Sequence, residues 1–264
     1  MSDLLTPVDW HVHAHSPGDI GAVLDSAAAA FARVNPRPQG VLGVLMLAEM
    51  PGASAFARLA TPGGEPPGWS VDATSEDVSV VASRGADRIA VVSGFQVTTA
   101  ERLEVLALGT RVRPQDGLPA ERVLAQVAAL GAMAVLPWGV GKWLGARGAA
   151  VAALLGRLPP RSFFLGDNAA RPVFWPAPAV FREAAEKGIA VLPGTDTLPG
   201  ARPAAGAFGS LVPGPIPADR PMEALRRRLA EPAAGLLRYG SLASPLGFLR
   251  DQAMLRLRRL GRGR

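Results

Sequence analysis

Short apolar runs of strand length alternate with amphipathic stretches of helical spacing along most of this 264-residue chain, and that alternation restricts the fold more than any other feature. Residues 6–13, 40–48, 88–98, 103–109, 132–137, 162–166 and 188–194 read as strands. Asp19 to Val34 reads as a helix, because Ile20, Val23, Leu24, Ala27, Ala28 and Phe31 recur on one face. Residues 118–130, 146–157 and 177–187 read as further helices. Strands separated by helices favour parallel pairing, and seven or eight such steps predict an α/β fold of the (β/α) TIM-like barrel type. The turn-rich stretch Thr61 to Pro67 and the close spacing of 78–84, 88–98 and 103–109 predict antiparallel excursions in the middle. One barrel domain is expected over 1–219, followed by a basic helical extension over 220–264.

Charge separates these two parts. From Arg220 onward there are eleven arginines against Glu223, Glu231 and Asp251, a balance of +8, while the whole chain carries only +6. The body therefore has a slight acidic excess and lacks the basic, aromatic-interleaved surface of a nucleic-acid binder. In the tail, Leu246, Leu249, Ala253, Leu257 and Leu260 share one face of a helix from Pro245 to Leu260, with Arg250, Arg256, Arg258 and Arg259 mainly on the other. Such a helix can pack on its own barrel, lie on an anionic membrane surface or contact an acidic partner. The start of the chain has no basic stretch leading into an apolar core, and no apolar run reaches spanning length, so a cytoplasmic protein, peripheral to the membrane at most, is expected.

All three histidines fall within five residues, His11, His13 and His15. On a strand, alternate side chains share a face, so His11 and His13 present two imidazoles to one point. A solvated tail can also be rich in histidine, but this cluster continues directly from the apolar run Leu4 to Val8 and precedes a helix, where a first strand would end. With no cysteine in the chain, disulfides, thiolate nucleophiles and sulfur-ligated metals are excluded, and any metal is held by nitrogen and oxygen. The other polar clusters also follow strands: Glu49, Trp138 and Lys142, Asp167 and Asn168, and Asp196, with Glu104 near the start of its strand. In a barrel these ends gather at one rim.

The segment Asp9-Trp10-His11-Val12-His13, the later Gly194-Thr195-Asp196 and the alternation between them resemble metal-dependent hydrolases of the polymerase and histidinol phosphatase (PHP) family, and also the amidohydrolase superfamily. The resemblance implies a (β/α) barrel with a His-x-His pair on its first strand and an aspartate after a late one. Ser93-Gly94-Phe95-Gln96 and Leu103-Glu104-Val105-Leu106-Ala107-Leu108-Gly109 are similar to two further PHP segments, but Gln96 stands where that family has a glutamate and Glu104 where it has a histidine. Pro137-Trp138 replaces a His-Pro, and Thr197 follows Asp196 in place of an acid-histidine pair. A trinuclear centre is thereby excluded. The resemblance implies one divalent metal, Zn²⁺, Mn²⁺ or Fe²⁺, on His11, His13, Glu104 and Asp196, with Asp196 as the proton acceptor.

Several further residues are candidates in supporting roles. Lys142 sits between Trp138 and Trp143 in a glycine-containing turn, and reads as an anion contact, a surface lysine or a carbamylated ligand. Arg171 and Arg202 are candidates to help it hold an anionic substrate, with Trp138 as a wall and Gln96 as a polar contact. Asp9, His15, Asp167 and Asn168 are candidates for orienting the ligands, although Asp167-Asn168 also fits a turn and Glu104 a surface ion pair. Glu49 reads as structural. The leading expectation is a hydrolase acting on a small anionic phosphoester, amide or lactone. The alternative is a degenerate barrel that has lost its chemistry and serves as a binding or scaffold protein, at the membrane surface if the tail directs it there.

Overall fold

The computed structural model describes residues 4–36, 38–197, 204–231 and 235–261. In chain order the elements are β1 (Leu5–Val12), α1 (Ile20–Val34), β2 (Gly43–Leu47), α2 (Ala55–Leu59), β3 (Ser70–Ala73), β4 (Ser79–Arg84), β5 (Asp87–Val92), β6 (Gly94–Thr98), β7 (Glu104–Leu108) and α3 (Ala120–Ala129). They continue with β8 (Met133–Pro137), α4 (Ala146–Arg157), β9 (Phe164–Asn168), α5 (Ala179–Glu186), β10 (Val191–Gly194), β11 (Gly209–Pro213), α6 (Pro221–Ala230), β12 (Leu237–Tyr239) and α7 (Pro245–Gly261).

The strands form two open mixed sheets. One has seven strands in the order β12-β11-β1-β2-β5-β4-β3, and the other has five in the order β10-β9-β8-β7-β6. The TIM-like barrel expected from the alternation is therefore not what this chain forms. That barrel needs eight parallel strands hydrogen-bonded around a closed ring. Here β1/β11, β4/β5, β6/β7 and β7/β8 pair antiparallel, and the sheets do not close on one another.

The reason lies in the middle of the chain. The stretch 88–98, expected to be one strand, breaks at Ser93 into β5 and β6, which belong to different sheets. A side chain at Gly94 would put its Cβ 2.5 Å from the Leu47 carbonyl oxygen and 2.7 Å from that of Ala107, so only glycine passes through this crossing. The five residues between β6 and β7 leave no room for a crossover helix, and the two strands pair as an antiparallel hairpin.

Apolar residues of both sheets meet in one core, with Val8, Trp10, Val44 and Met46 from the larger sheet and Leu106, Val135, Phe164 and Leu192 from the smaller. Outside the larger sheet lies α1, whose buried residues are the six anticipated from helical spacing. Outside the smaller sheet, α3, α4 and α5 pack through Val123, Leu124, Leu154 and Ala184. The result is helix, sheet, sheet, helix.

Residues after 219 contribute to this body. Met222, Leu225 and Leu229 of α6 are buried in the inter-sheet core, the Glu76 carboxylate accepts the Met222 and Glu223 N–H groups at 2.9 and 2.6 Å, and β12 extends the larger sheet. Since Leu225 is fully buried in the inter-sheet core, Leu225→Ala is expected to lower unfolding free energy by about 2–5 kcal/mol in urea titrations.

Candidate metal centre

His11 and His13 lie at the C-terminal end of β1 and beyond it, and both are buried. Their Nε2 atoms approach to 2.9 Å, with ring centroids 4.7 Å apart and planes at 65°. Asp196, just past β10, places Oδ1 3.6 Å from His11 Nε2 and 3.2 Å from His13 Nε2. Gln96 of β6 adds its Oε1, 3.1 Å from His11 Nε2. Thus two imidazoles, one carboxylate and one amide oxygen converge from β1, β6 and the segment after β10.

Backbone packing produces this convergence. The Asp196 N–H donates to the His11 carbonyl oxygen at 2.8 Å, and the Glu49–Phe95 bridge joins the ends of β2 and β6, so the two sheets touch beside the cluster. A Cβ at Gly194 would fall 2.4 Å from the His11 backbone nitrogen. Glycine there lets β10 press against β1. Asp196 itself has φ of 48°, a left-handed conformation that aspartate tolerates better than most residues and that turns its carboxylate toward the histidines.

Buried polar contacts hold the same junction. Asp9 accepts hydrogen bonds from Thr195 N (2.9 Å), Thr195 Oγ1 (2.6 Å), Gly206 N (2.9 Å) and His11 N (3.3 Å). Burial nevertheless outweighs these bonds and holds its pKa up at about 6. Thr197 Oγ1 accepts from His13 N at 2.8 Å and donates to His13 O at 2.9 Å, and the Asn168 amide donates to Asp196 Oδ2. Ala170 N–H donates to Asn168 Oδ1 at 2.6 Å, which fixes the amide's orientation.

The donor set fits a cation. Burial pushes the His11 imidazole down to about 4, leaving it neutral and able to offer a lone pair. For Asp196, burial alone would raise the pKa, but His11, the hydrogen bond and charge of His13, and Lys142 outweigh it and hold the carboxyl well below the usual range. His13 Nδ1 is buried without a hydrogen-bond partner. If both Nε2 atoms carried protons to serve Gln96 and Asp196, two donors would face each other at 2.9 Å; a central cation removes that conflict. One ligand atom from each of His11, His13 and Asp196 lies within 4.8 Å of the others, and the 2.9–3.6 Å separations bracket the roughly 3.3 Å between neighbouring ligands of one tetrahedral ion.

Other residues picked out in the sequence lie elsewhere. Glu104 is outside the cluster: both its oxygens accept from Lys142 Nζ at 2.5 Å, so it is an ion-pair partner in place of the expected ligand. Arg171 is buried and forms a two-pronged pair with Asp167, at 2.8 and 2.7 Å, while also donating to Trp175 O. That pairing occupies both side chains, so Arg171 is not free to hold a substrate anion and the Asp167 carboxylate is not free to orient a ligand as expected. His15 is exposed, with Nε2 2.7 Å from the Thr197 carbonyl oxygen. Trp138 is buried against Trp175 at 6.1 Å and lines, with Trp143, a cavity of about 300 Å³ beside the Lys142 turn. Glu49 accepts the Phe56 N–H and so caps α2. Arg202 lies outside the described residues. Sequence reasoning missed the roles of Gly194, Thr195 and Thr197. The Gly-Thr-Asp-Thr string was visible, but nothing in it shows that its neighbour in space is β1.

Fold and site together define an α/β protein of two open mixed sheets with a His-His-Asp cluster where the sheets touch. No family model matches the chain, and no curated protein matches it by sequence. Among solved structures it is similar to PsfC from Pseudomonas syringae PB-5123, with a TM-score of 0.54 and 14% identity over 97% of this chain and 98% of that one. At that identity the likeness concerns the fold alone.

The close approach at Gly194 generates a prediction. Gly194→Ala is expected to push β10 from β1, destabilise the protein by about 1–3 kcal/mol in urea titrations and weaken metal binding, whereas Thr195→Val is expected to cost about 1–3 kcal/mol by removing a hydroxyl donor from buried Asp9.

Proposed function

We propose that this protein holds one divalent metal ion on His11, His13 and Asp196 and acts as a metal-dependent hydrolase on a small anionic substrate. The observation that carries this reading is the convergence of two buried imidazoles and a low-pKa carboxylate from distant parts of the chain. Zn²⁺, Mn²⁺ and Fe²⁺ all accept such a nitrogen and oxygen set. When bound, the ion supplies Lewis acidity that brings the ionisation of water to about pH 7.

The chain's own groups have separable tasks. Asn168 restrains Asp196 through Oδ2 and leaves Oδ1 toward the histidines. The field that keeps Asp196 ionised also makes it a weak proton acceptor, so the geometry supports its role as a ligand better than the general-base role the sequence suggested. Gln96 presents a neutral oxygen beside His11, which adds a polar contact without further negative charge. Lys142 bears on both His11 and Asp196 electrostatically, and its half-exposed ammonium has three donors to divide between Glu104 and a substrate anion. Its stem packs over Gly139, where a Cβ would come within 2.5 Å of the lysine Cδ.

A second reading, a binding protein without turnover, is favoured by Gln96 and by the pairing of Glu104 with Lys142, which leave Asp196 as the one carboxylate of the cluster among the described residues. Metal content decides between the readings and their common rejection. Elemental analysis of protein purified without a histidine tag is expected to find about one equivalent of divalent metal, and none in His11→Ala/His13→Ala. Hydrolysis of phosphoesters, amides or lactones by the loaded protein would establish the enzyme; metal without turnover favours the binding protein. No metal after reconstitution with zinc, manganese and iron rejects both. Lys142→Met is expected to leave metal content unchanged and to raise KM for anionic substrates roughly tenfold or more.

A further inference from the structure

The start of the leucine seam of α7, at Leu246 and Leu249, does not pack on the body. Leu246 is 81% exposed and Leu249 63%, while Asp251, on another side of the helix, is only 8% exposed. At Leu246 and Leu249 the apolar face therefore points to solvent, and the buried side carries a carboxylate paired with Arg250. In the sequence the same spacing continues through Leu257 and Leu260.

A second element enlarges this face. The loop after β9 exposes Val173 (58%) and Phe174 (61%), and it is joined to the start of α7 by the Pro172–Ala243 bridge and by hydrogen bonds from Val173 N to Ala243 O and from Ala243 N to Arg171 O, each 3.0 Å. Phe174 meets Phe248 of α7 edge-on at 6.1 Å. Four large apolar side chains are thus exposed on two elements that the Pro172–Ala243 bridge and the Phe174–Phe248 contact tie together at one side of the molecule.

We propose that this patch is a docking surface for an anionic membrane. Charge selects the occupant: the segment from Arg220 carries eleven arginines against three carboxylates, and Arg250 lies beside the seam with its side chain 59% exposed. A second copy seated on the patch would bring two segments of like charge together. An anionic bilayer instead attracts the arginines while the leucines and Phe174 enter the boundary of its acyl chains. Among the described residues no helix is long and apolar enough to cross a membrane, so α7 would lie in the interface plane. The loop that carries Val173 and Phe174 follows Asp167 and Asn168, so docking would turn the end bearing the metal cluster toward the lipid.

The test is co-sedimentation of the full chain with vesicles of phosphatidylcholine alone or mixed with phosphatidylglycerol. Binding is expected only to the mixed vesicles, weakening as salt is raised. It is expected to fall roughly tenfold or more in Leu246→Ser/Leu249→Ser, at unchanged Tm because both residues are exposed. A Val173→Ser/Phe174→Ser variant is expected to lose binding in the same way. The proposal is overturned if the wild type binds neither vesicle, if it binds neutral vesicles equally well, or if the serine variants bind as the wild type does. It is also overturned if sedimentation equilibrium shows a wild-type dimer that the Leu246→Ser/Leu249→Ser variant dissolves.

Discussion

Asp9 is a fully buried carboxylate whose four hydrogen bonds join three separate stretches of chain: its own strand, the turn at Thr195 and the loop at Gly206. Gly206 passes the connection on, because its carbonyl oxygen accepts the Tyr239 hydroxyl of β12 at 3.1 Å. The candidate metal cluster depends on that junction. His11 lies two residues after Asp9, and Asp196 directly follows Thr195, so the contacts that satisfy one buried carboxylate also set the spacing of two ligands with the third, His13, held by Thr197. Burying a charge is costly unless several donors compensate it. Burial holds the carboxyl up at about 6, so the four donors compensate the buried charge only in part.

The two sheets arise from a crossing that no amphipathic pattern encodes. The chain leaves the larger sheet at Val92 and enters the smaller one at Gly94, and the absence of a side chain at Gly94 lets it pass between two carbonyl oxygens. From there β6, β7 and β8 run alternately, and the strands that return parallel, β8 to β10, are those with helices α4 and α5 between them. The short link between β6 and β7 permits only a hairpin, whereas α4 and α5 carry the chain back for parallel pairing; β7 and β8 pair antiparallel even though α3 lies between them. The inter-sheet core then fills with β-branched and aromatic residues from both faces, and α6 seals it with Met222, Leu225 and Leu229.

The sequence disclosed much of the site and less of the fold. His11 and His13 were legible because strand periodicity puts alternate side chains on one face, and Asp196 because it follows an apolar run at a strand end. Glu104 was misleading: it lies at the start of its strand, and its partner Lys142 is 38 residues away along the chain, a pairing that no local pattern predicts. Arg171 and Asp167 are only four residues apart, and their buried pair was equally compatible with a helix cap or an anion site until the burial of both side chains was known. Helix positions were legible to within a few residues because a 3.6-residue period is local. The barrel was not, because closure is a property of strand order and direction, which a periodic pattern does not contain.

By itself the sequence determined the longer helices and most of the central strands, though not α2, β3, β11 or β12, together with the buried face of α1, the exclusion of sulfur chemistry and the presence of a basic, leucine-bearing C-terminal helix, all of which follow from composition and from interactions between near neighbours. Tertiary structure alone decided that the strands split into two open sheets, that Glu104 pairs with Lys142 and Arg171 with Asp167, that Gln96 meets His11, and that Leu246 and Leu249 of α7 face outward. Each of these depends on which distant segments come to lie side by side, and that choice is made by the packing of whole sheets and by the satisfaction of buried polar groups such as Asp9, through contacts that span nearly 200 residues of chain.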